Sequence, residues 1–374
     1  MKYISINKDR DYTINKKSEY FLDPEYIYIP LINNDLIVKG NQVILIDDAI
    51  FLNNFYYKSS VSGTIKGIKT INKNKYIVIE NNYKEKSKTN KKINSNYSHD
   101  KIIEKLNDYS LNKLAKKLNK KCNNIIINTL NDEPYISNNI YMFKENLNDI
   151  LELIDFFSNY YNSKNTIIVI KAYEKEGIEK CLNTIRKYPN IKINLVNDLY
   201  LLEQDYFIND YLGYSNDDTL NLNIKDLLTI INIYKYNQIN SLKTIIILGD
   251  AIKKGCIINA KKYVKVSDIV NKYIKIIDDD YVCIVNGLMT GYISNLEDLI
   301  LTDDIDSIFI MKKNTIKEKE CINCGLCYNV CPLKINPVKS LKSKRKNPNC
   351  LNCGLCTYIC PSFINLRKYL KGDE

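Results

Sequence analysis

CINCGLCYNVCPLKINPVKSLKSKRKNPNCLNCGLCTYICP, residues 321–361, contains the pattern Cys-x2-Cys-x2-Cys-x3-Cys-Pro twice. The first copy is Cys321, Cys324, Cys327, Cys331 and Pro332; the second is Cys350, Cys353, Cys356, Cys360 and Pro361. Three thiolates two residues apart can wrap three corners of a cube in one tight turn, but the same turn cannot reach the fourth corner without strain. Gly325 and Gly354 stand at matching positions, where the lack of a Cβ lets backbone fold closely round a bulky group. Zinc sites use paired Cys-x2-Cys knuckles separated by a longer gap, whereas each run here has a third cysteine at the same short spacing. Disulfide frameworks belong to short secreted chains with a signal peptide. The pattern points to iron–sulfur chemistry.

The spacing resembles that of bacterial two-cluster ferredoxins, in which each [4Fe–4S] cube takes three cysteines from its own run and the fourth from the other. That resemblance implies one cluster on Cys321, Cys324, Cys327 and Cys360, and a second on Cys350, Cys353, Cys356 and Cys331.

At 374 residues the chain exceeds a single core and calls for several domains. No apolar run reaches the length of a membrane span, and MKYISINKDRDY at the start lacks the apolar stretch of a secretory signal. The expectation is a soluble, cytoplasmic protein, held at the cytoplasmic face of a membrane only where partner subunits anchor it. Cys122, Cys181, Cys256 and Cys283 are scattered singly among apolar residues and read as small buried hydrophobes. The net charge is +11. Two oxidised cubes with their thiolates would return about −4, so part of this charge compensates the clusters. The remainder concentrates in Lys339, Lys342, Lys344, Arg345 and Lys346 between the cysteine runs. It forms either a solvated loop or a docking patch for an acidic redox partner or an anionic membrane surface. Nucleic acid is not expected as a partner, because no stacking aromatics or binding motif accompany the charges.

Short apolar runs at Tyr26–Leu31, Leu36–Val38, Val43–Ile46 and Val61–Ile68, separated by turn residues, predict a small β domain over 1–83. KEKSKTNKKINSNYSH, 84–99, reads as a linker that leaves His99, the chain's one histidine, as an exposed ring. From about residue 100 the period becomes helical, with Ile102, Ile103, Leu106, Leu111, Leu114 and Leu118 on one face and an interruption near Ser110. Strands at 125–127, 166–170 and 191–196 alternate with helices at 146–161, 175–187 and 223–236, which predicts a parallel-sheet α/β domain over 100–240. Strands at 244–248, 260–266, 282–285 and 307–311 round a helix at 267–276 predict an α+β module over 241–314. The two-cluster tail occupies 315–374.

This order of modules is similar to RnfC, a component of the Rnf ion-translocating ferredoxin:NAD oxidoreductase, and to the related cobalamin-reducing subunit of propanediol utilisation. Tyr28-Ile29-Pro30-Leu31, Val38-Lys39-Gly40-Asn41-Gln42-Val43 and Val61-Ser62-Gly63-Thr64-Ile65 resemble the family's opening barrel-sandwich domain. Asn128 with Glu133-Pro134-Tyr135 resembles its Asn-Gly-x-Glu-Cys-Glu-Pro-Tyr segment. Asn286-Gly287-Leu288-Met289-Thr290-Gly291 resembles Gly-Gly-Pro-Met-Met-Gly in its soluble-ligand-binding β-grasp module. The likeness runs over nearly the whole chain and implies an electron-transfer subunit. Its partners would be ferredoxin, flavodoxin, membrane Rnf-type subunits or a corrinoid protein.

In the family the α/β domain holds FMN and NADH on glycine-rich loops, whose bare backbone brings N–H groups up to phosphate. Here the corresponding stretch, DYSLNKLAKKLNKK, has no glycine, and neither does Leu199-Tyr200-Leu201-Leu202-Glu203-Gln204, which replaces the second such segment. Asn131 stands where the family's first carboxylate stands, leaving Glu133 as the one candidate flavin residue. Lys113, Lys116, Lys117, Lys120 and Lys121 read as the solvated face of an amphipathic helix. Ser62-Gly63-Thr64 in the opening hairpin lacks the Met-Lys-Met of a lipoyl or biotinyl acceptor. FMN and NADH are therefore not expected, and no catalytic constellation is visible. The expected function is a relay of single electrons through two [4Fe–4S] clusters. The alternatives are a flavin-dependent NADH:ferredoxin or corrinoid-reducing subunit, and a scaffold whose clusters are structural.

Overall fold

A computed structural model describes residues 4–6, 17–31, 43–44, 49–52, 55–84, 97–238, 240–314 and 316–371. The run at Leu36–Val38, Leu45 and Ile46 of the next run, the turns at 33–35 and 39–41, and most of the linker lie outside the described residues.

The amino-terminal part supplies strands β1 (Glu19–Phe21), β2 (Tyr26–Leu31), β3 (Val43–Ile44), β4 (Ala49–Leu52), β5 (Phe55–Lys58), β6 (Gly63–Ile71) and β7 (Asn74–Asn81). Strands β2, β7, β6 and β3 form one antiparallel sheet, and β4 pairs with β5. The long β6–β7 hairpin turns at Asn72 and Lys73, both at positive φ.

Next come α1 (His99–Asp108), α2 (Asn112–Leu118), β8 (Asn124–Asn128), α3 (Asn138–Glu145), α4 (Leu147–Tyr160) and β9 (Asn165–Lys171). They are followed by α5 (Lys175–Ile185), β10 (Ile191–Val196), α6 (Asp205–Leu212), β11 (Thr219–Asn223) and α7 (Ile224–Tyr236). The expected parallel sheet is present, in the order β10-β9-β8-β11. Its central strands are apolar on both faces because helices cover both sides. Ile125, Ile127, Ile168 and Ile170 face the core with Phe143, Ile154, Phe157 and Ile231, while Ile126, Ile167 and Val169 face Leu202 and Ile208. Asn223 caps α7 with a reciprocal box: its side chain accepts from the Asp226 N–H, and the Asp226 carboxylate accepts from the Asn223 N–H. The α1–α2 break falls at Ser110, which is held at φ 58°.

The third part contains β12 (Leu242–Leu248), β13 (Cys256–Lys261), α8 (Val266–Tyr273), β14 (Tyr281–Val285), β15 (Tyr292–Ser294) and β16 (Ser307–Lys312). They form one sheet, β1-β13-β12-β16-β14-β15, so β1 leaves the amino-terminal sheet and pairs in parallel with β13 at this edge. The two β modules share a core: Ile27, Ile29, Ile77 and Ile79 pack in one cluster with Ile245, Ile258, Val264 and Ile308.

Two expectations are corrected. The strand placed at 260–266 lies at Cys256–Lys261, because Tyr263 adopts φ 68° and turns the chain into α8. His99 is not an exposed linker ring. It opens α1, is buried, stacks on Tyr160 with ring centroids 4.1 Å apart, and its Nε2 lies 3.1 Å from the Leu118 carbonyl. The polar run of the linker hides this, because the partners of the imidazole come from α2 and α4.

Candidate iron–sulfur centres

The tail consists of four short helices, α9 (Leu326–Val330), α10 (Pro337–Ser343), α11 (Leu355–Tyr358) and α12 (Leu366–Lys371). It is an internal repeat, and the interval from Cys321 to Cys350 maps one half onto the other. The paired positions Asn323 and Asn352, Gly325 and Gly354, and Lys334 and Phe363 all have positive φ. Glycine and asparagine tolerate that region best, and these turns set the backbone round each cysteine run.

The structure gathers the eight cysteines in two groups. Cys321, Cys324, Cys327 and Cys360 line one cavity, closed by Val338, Ile364 and Leu366. Cys350, Cys353, Cys356 and Cys331 line the other, closed by Ile335, Pro337 and Leu370. Among the described residues, no three His, Cys, Asp or Glu side chains converge on a point as ligands of a single ion do.

Backbone N–H groups point at the sulfurs. Asn352 N–H donates to Cys350 Sγ at 3.3 Å, and others reach Cys327, Cys353 and Cys356. Burial nevertheless prevails and raises all three of these thiols, Cys356 to about 12. A cationic iron centre is what makes the thiolate favourable in such surroundings. The donor set and its enclosure fit iron–sulfur clusters.

Cys122, Cys181, Cys256 and Cys283 are buried outside these groups. Desolvation pushes Cys181 and Cys283 up to about 12, and Cys122 and Cys256 to about 11, as inert core thiols.

The tail is fastened to the body largely by residues that the sequence reading placed in family-type segments, joined by Arg367, which it did not single out. Tyr200 donates its hydroxyl to the Cys353 carbonyl at 2.7 Å. Arg367 donates to the Met289 carbonyl at 2.9 Å and the Gly291 carbonyl at 2.6 Å. Leu355 packs with Tyr200, Leu201, Phe207 and Met289. Glu133 holds the same turn from the other side, accepting from Met289 N–H at 2.9 Å, Thr290 N–H at 2.8 Å and the Thr290 hydroxyl. Gly287 is needed for that approach, since a Cβ there would lie 2.2 Å from the Glu133 carboxylate. Arg367 carried no signal in the sequence, standing beside Lys368 in a stretch of mixed polarity.

The carboxyl edge of the parallel sheet is occupied by protein. Asn128 donates to the Leu202 and Glu203 carbonyls at 3.0 and 3.1 Å. Asp132 and Glu203 exchange bonds, each accepting the other's N–H at 2.8–2.9 Å. Burial raises both carboxyls above their usual range. Lys171 closes the edge, donating to the Asn131 carbonyl and pairing with Asp198, both at 2.7 Å. The glycine-free segment forms α2, with Leu111 and Leu114 packed on the domain core. Lys113, Lys116, Lys120 and Lys121 are exposed as expected, whereas Lys117 pairs with Asp226 at 3.1 Å.

A cavity of about 560 Å³ lies away from the cysteines, at the seam of the three body modules. Lys58, Lys225, Lys243 and Lys262 line it. Asp306 takes Lys225 and Lys243, and Asp303 takes Lys262, at 2.6–2.7 Å. Lys58 lies over the Tyr109 ring. The seam reads as an ion-paired joint.

The fold and cysteine geometry define a multidomain chain whose tail gathers eight cysteines in two groups. Residues 313–361 match the family described as 4Fe-4S dicluster domain. None of the curated proteins matches the chain. Among solved structures it is similar to a chain of an NAD+-reducing [NiFe]-hydrogenase in the air-oxidized state, with TM-score 0.51 and 11% identity over 73% of this chain and 63% of that one. The H2-reduced state of an NAD+-reducing [NiFe]-hydrogenase aligns with TM-score 0.46 and 10% identity, over 74% of this chain and 64% of that one. The chain thus spans under two thirds of the hydrogenase chain, and the likeness is one of fold. No helix among the described residues is long and apolar enough to cross a membrane.

Proposed function

We propose that the chain is an RnfC-like electron-transfer subunit. It would relay single electrons through two [4Fe–4S] clusters between a soluble carrier and a partner redox protein or membrane complex. The observation that carries this reading is the interlock of the two cavities, each lined by three cysteines of one run and the fourth of the other, within a segment matching a dicluster domain. One cluster belongs to Cys321, Cys324, Cys327 and Cys360, the other to Cys350, Cys353, Cys356 and Cys331. When bound, each cluster stores and releases one electron. The chain's own part is to hold thiolates in water-poor cavities, to aim N–H groups at them, and to fix the second cavity rigidly against the body through Tyr200 and Arg367. The order of modules supports the RnfC-like assignment.

The same reading gives the α/β domain a structural role without NADH or FMN. A pyrophosphate needs bare backbone amides in an open cleft. Helix α2 where the family has its glycine loop supports this reading, as does the Asp132–Glu203 exchange of backbone hydrogen bonds at the sheet edge. The test of the central claim is anaerobic reconstitution, followed by iron and sulfide analysis and low-temperature EPR of the dithionite-reduced protein. About eight irons per chain and a coupled two-cluster spectrum are expected; four irons or an uncoupled signal would sink it.

A further inference from the structure

The two halves of the tail are near-copies in sequence, CINCGLCYNVCP and CLNCGLCTYICP, yet they meet different surroundings. Leu355 is 2% exposed, set among Tyr200, Phe207 and Met289, while its counterpart Leu326 is 41% exposed. At Gly354 a Cβ would meet the Met289 carbonyl at 2.3 Å; at Gly325 it would meet nothing within 4 Å. Cys353 gives its carbonyl to Tyr200, whereas its counterpart Cys324 is exposed. The body of the chain therefore covers one copy at Leu355, Gly354 and the Cys353 carbonyl, though Leu351 and Tyr358 there stay 38% and 43% exposed, and the same leucine stands uncovered on the other copy.

The uncovered face is apolar with a cationic rim. Ile322 is 67% exposed and Phe363 51%. Lys319 lies over the Phe363 ring and Lys334 over the Tyr328 ring, both at 6.0 Å. The segment 312–374 carries thirteen Lys and Arg residues against four Asp and Glu. An apolar centre within a positive field suits transient docking of an acidic protein, because charge steers the encounter and a small apolar contact lets it dissociate quickly.

We propose that the half built round Cys321, Cys324, Cys327 and Cys360 is the external port of the relay, on which a small acidic one-electron carrier protein docks through Leu326 and its lysine rim. The half holding Cys353 is the internal station. This rests on the electron-transfer reading above. Each encounter moves one electron: the carrier is oxidised by one and this chain reduced by one, or the reverse, with no proton or bond transferred.

The test uses the loaded full-length protein and stopped-flow mixing, under anaerobic conditions, with a reduced acidic bacterial ferredoxin. Leu326→Glu and Lys319→Glu should slow electron exchange about tenfold or more, and Ile293→Glu, on the exposed strand β15, less than about twofold. Iron content and EPR should be unchanged in all three, which shows that each variant folds. The native rate should fall steeply with added salt. Unchanged rates in both tail variants, an equal loss in Ile293→Glu, or faster exchange with a basic c-type cytochrome would each overturn the port. Fully loaded native protein that exchanges no electrons with ferredoxin would overturn it too. A chain that takes up no iron overturns the electron-transfer reading itself, a separate result.

Discussion

Gly325 and Gly354 make a matched pair in which one substitution isolates the docking of the tail. Both sit at the same place in their repeats, with φ 75° and 78°. Alanine at either incurs the left-handed penalty, roughly 1–2 kcal/mol. Only at Gly354 does the new methyl also meet backbone, 2.3 Å from the Met289 oxygen and 3.0 Å from its carbonyl carbon. That carbonyl cannot easily give way: it accepts from Arg367 at 2.9 Å, and the Met289 N–H is held by Glu133 at 2.9 Å. Overpacking of this kind costs about 1–3 kcal/mol, and here it is relieved by lifting the tail from the body. Amide hydrogen exchange on the loaded protein reads this directly at Met289 and Thr290. Gly354→Ala should speed exchange there about five- to a hundredfold, since about 1.4 kcal/mol is a factor of ten. Gly325→Ala should leave those amides unchanged while loosening its own turn. Equal acceleration by both variants would refute the claim that Gly354 marks the seal.

Asp132→Asn keeps an oxygen to accept the Glu203 N–H and removes a half-buried charge. Burial holds the folded carboxyl above its unfolded value of about 3.9. The native chain therefore loses stability as pH rises from about 4 towards the folded value, and the carboxylate's cost is fully present above it. The variant should be more stable than native at pH 8 in denaturant titrations and gain less at pH 5; a loss of stability at pH 8 would refute this. For NADH, fluorescence titration to millimolar should show no saturable quenching, and NADH should reduce neither the clusters nor an artificial acceptor. Saturable binding would restore the flavin-type reading of the α/β domain.

The parallel sheet was legible because Ile125–Ile127 and Thr166–Ile170 are apolar without alternation, the mark of a strand covered on both faces. Strand β11 was missed for the opposite reason. Thr219-Leu220-Asn221-Leu222-Asn223 alternates with asparagine, yet Asn221 is buried beside β8. Helix α3 begins Asn138-Asn139, which reads as a turn. Those asparagines are instead buried and donate to the carbonyls of Asp306 and Leu130, and the first of these contacts is set by a residue far along the chain. The cysteine grouping came from the resemblance of the spacing to two-cluster ferredoxins, and the two cavities gather the cysteines in the same sets. The clamp of Glu133, Met289, Gly291 and Arg367 was not legible, because its bonds to 286–291 arrive from two directions in sequence, and its acceptors at Met289 and Gly291 are backbone carbonyls that carry no sequence signature.

The repeat in the tail separates two kinds of constraint. Positions that shape a cysteine turn are the same in both copies: the asparagine and glycine at positive φ and the four cysteines. Other positions differ, as Ile322 against Leu351 or Tyr328 against Thr357. Leucine at 326 and 355 belongs to neither rule alone. It is identical in the two copies, yet buried in one and exposed in the other. If the turn itself required that leucine, both copies would bury it, and Leu326 is not buried by its own half. A side chain that seals one copy against Tyr200 and Met289 has the same shape to offer at the other, where the complementary surface must come from a second molecule. The sealed copy shows what such a surface supplies: an aromatic ring, a methionine, and a hydroxyl aimed at a cysteine carbonyl. A carrier docking at Leu326 needs no more than the apolar part of that set, because it must leave after each electron.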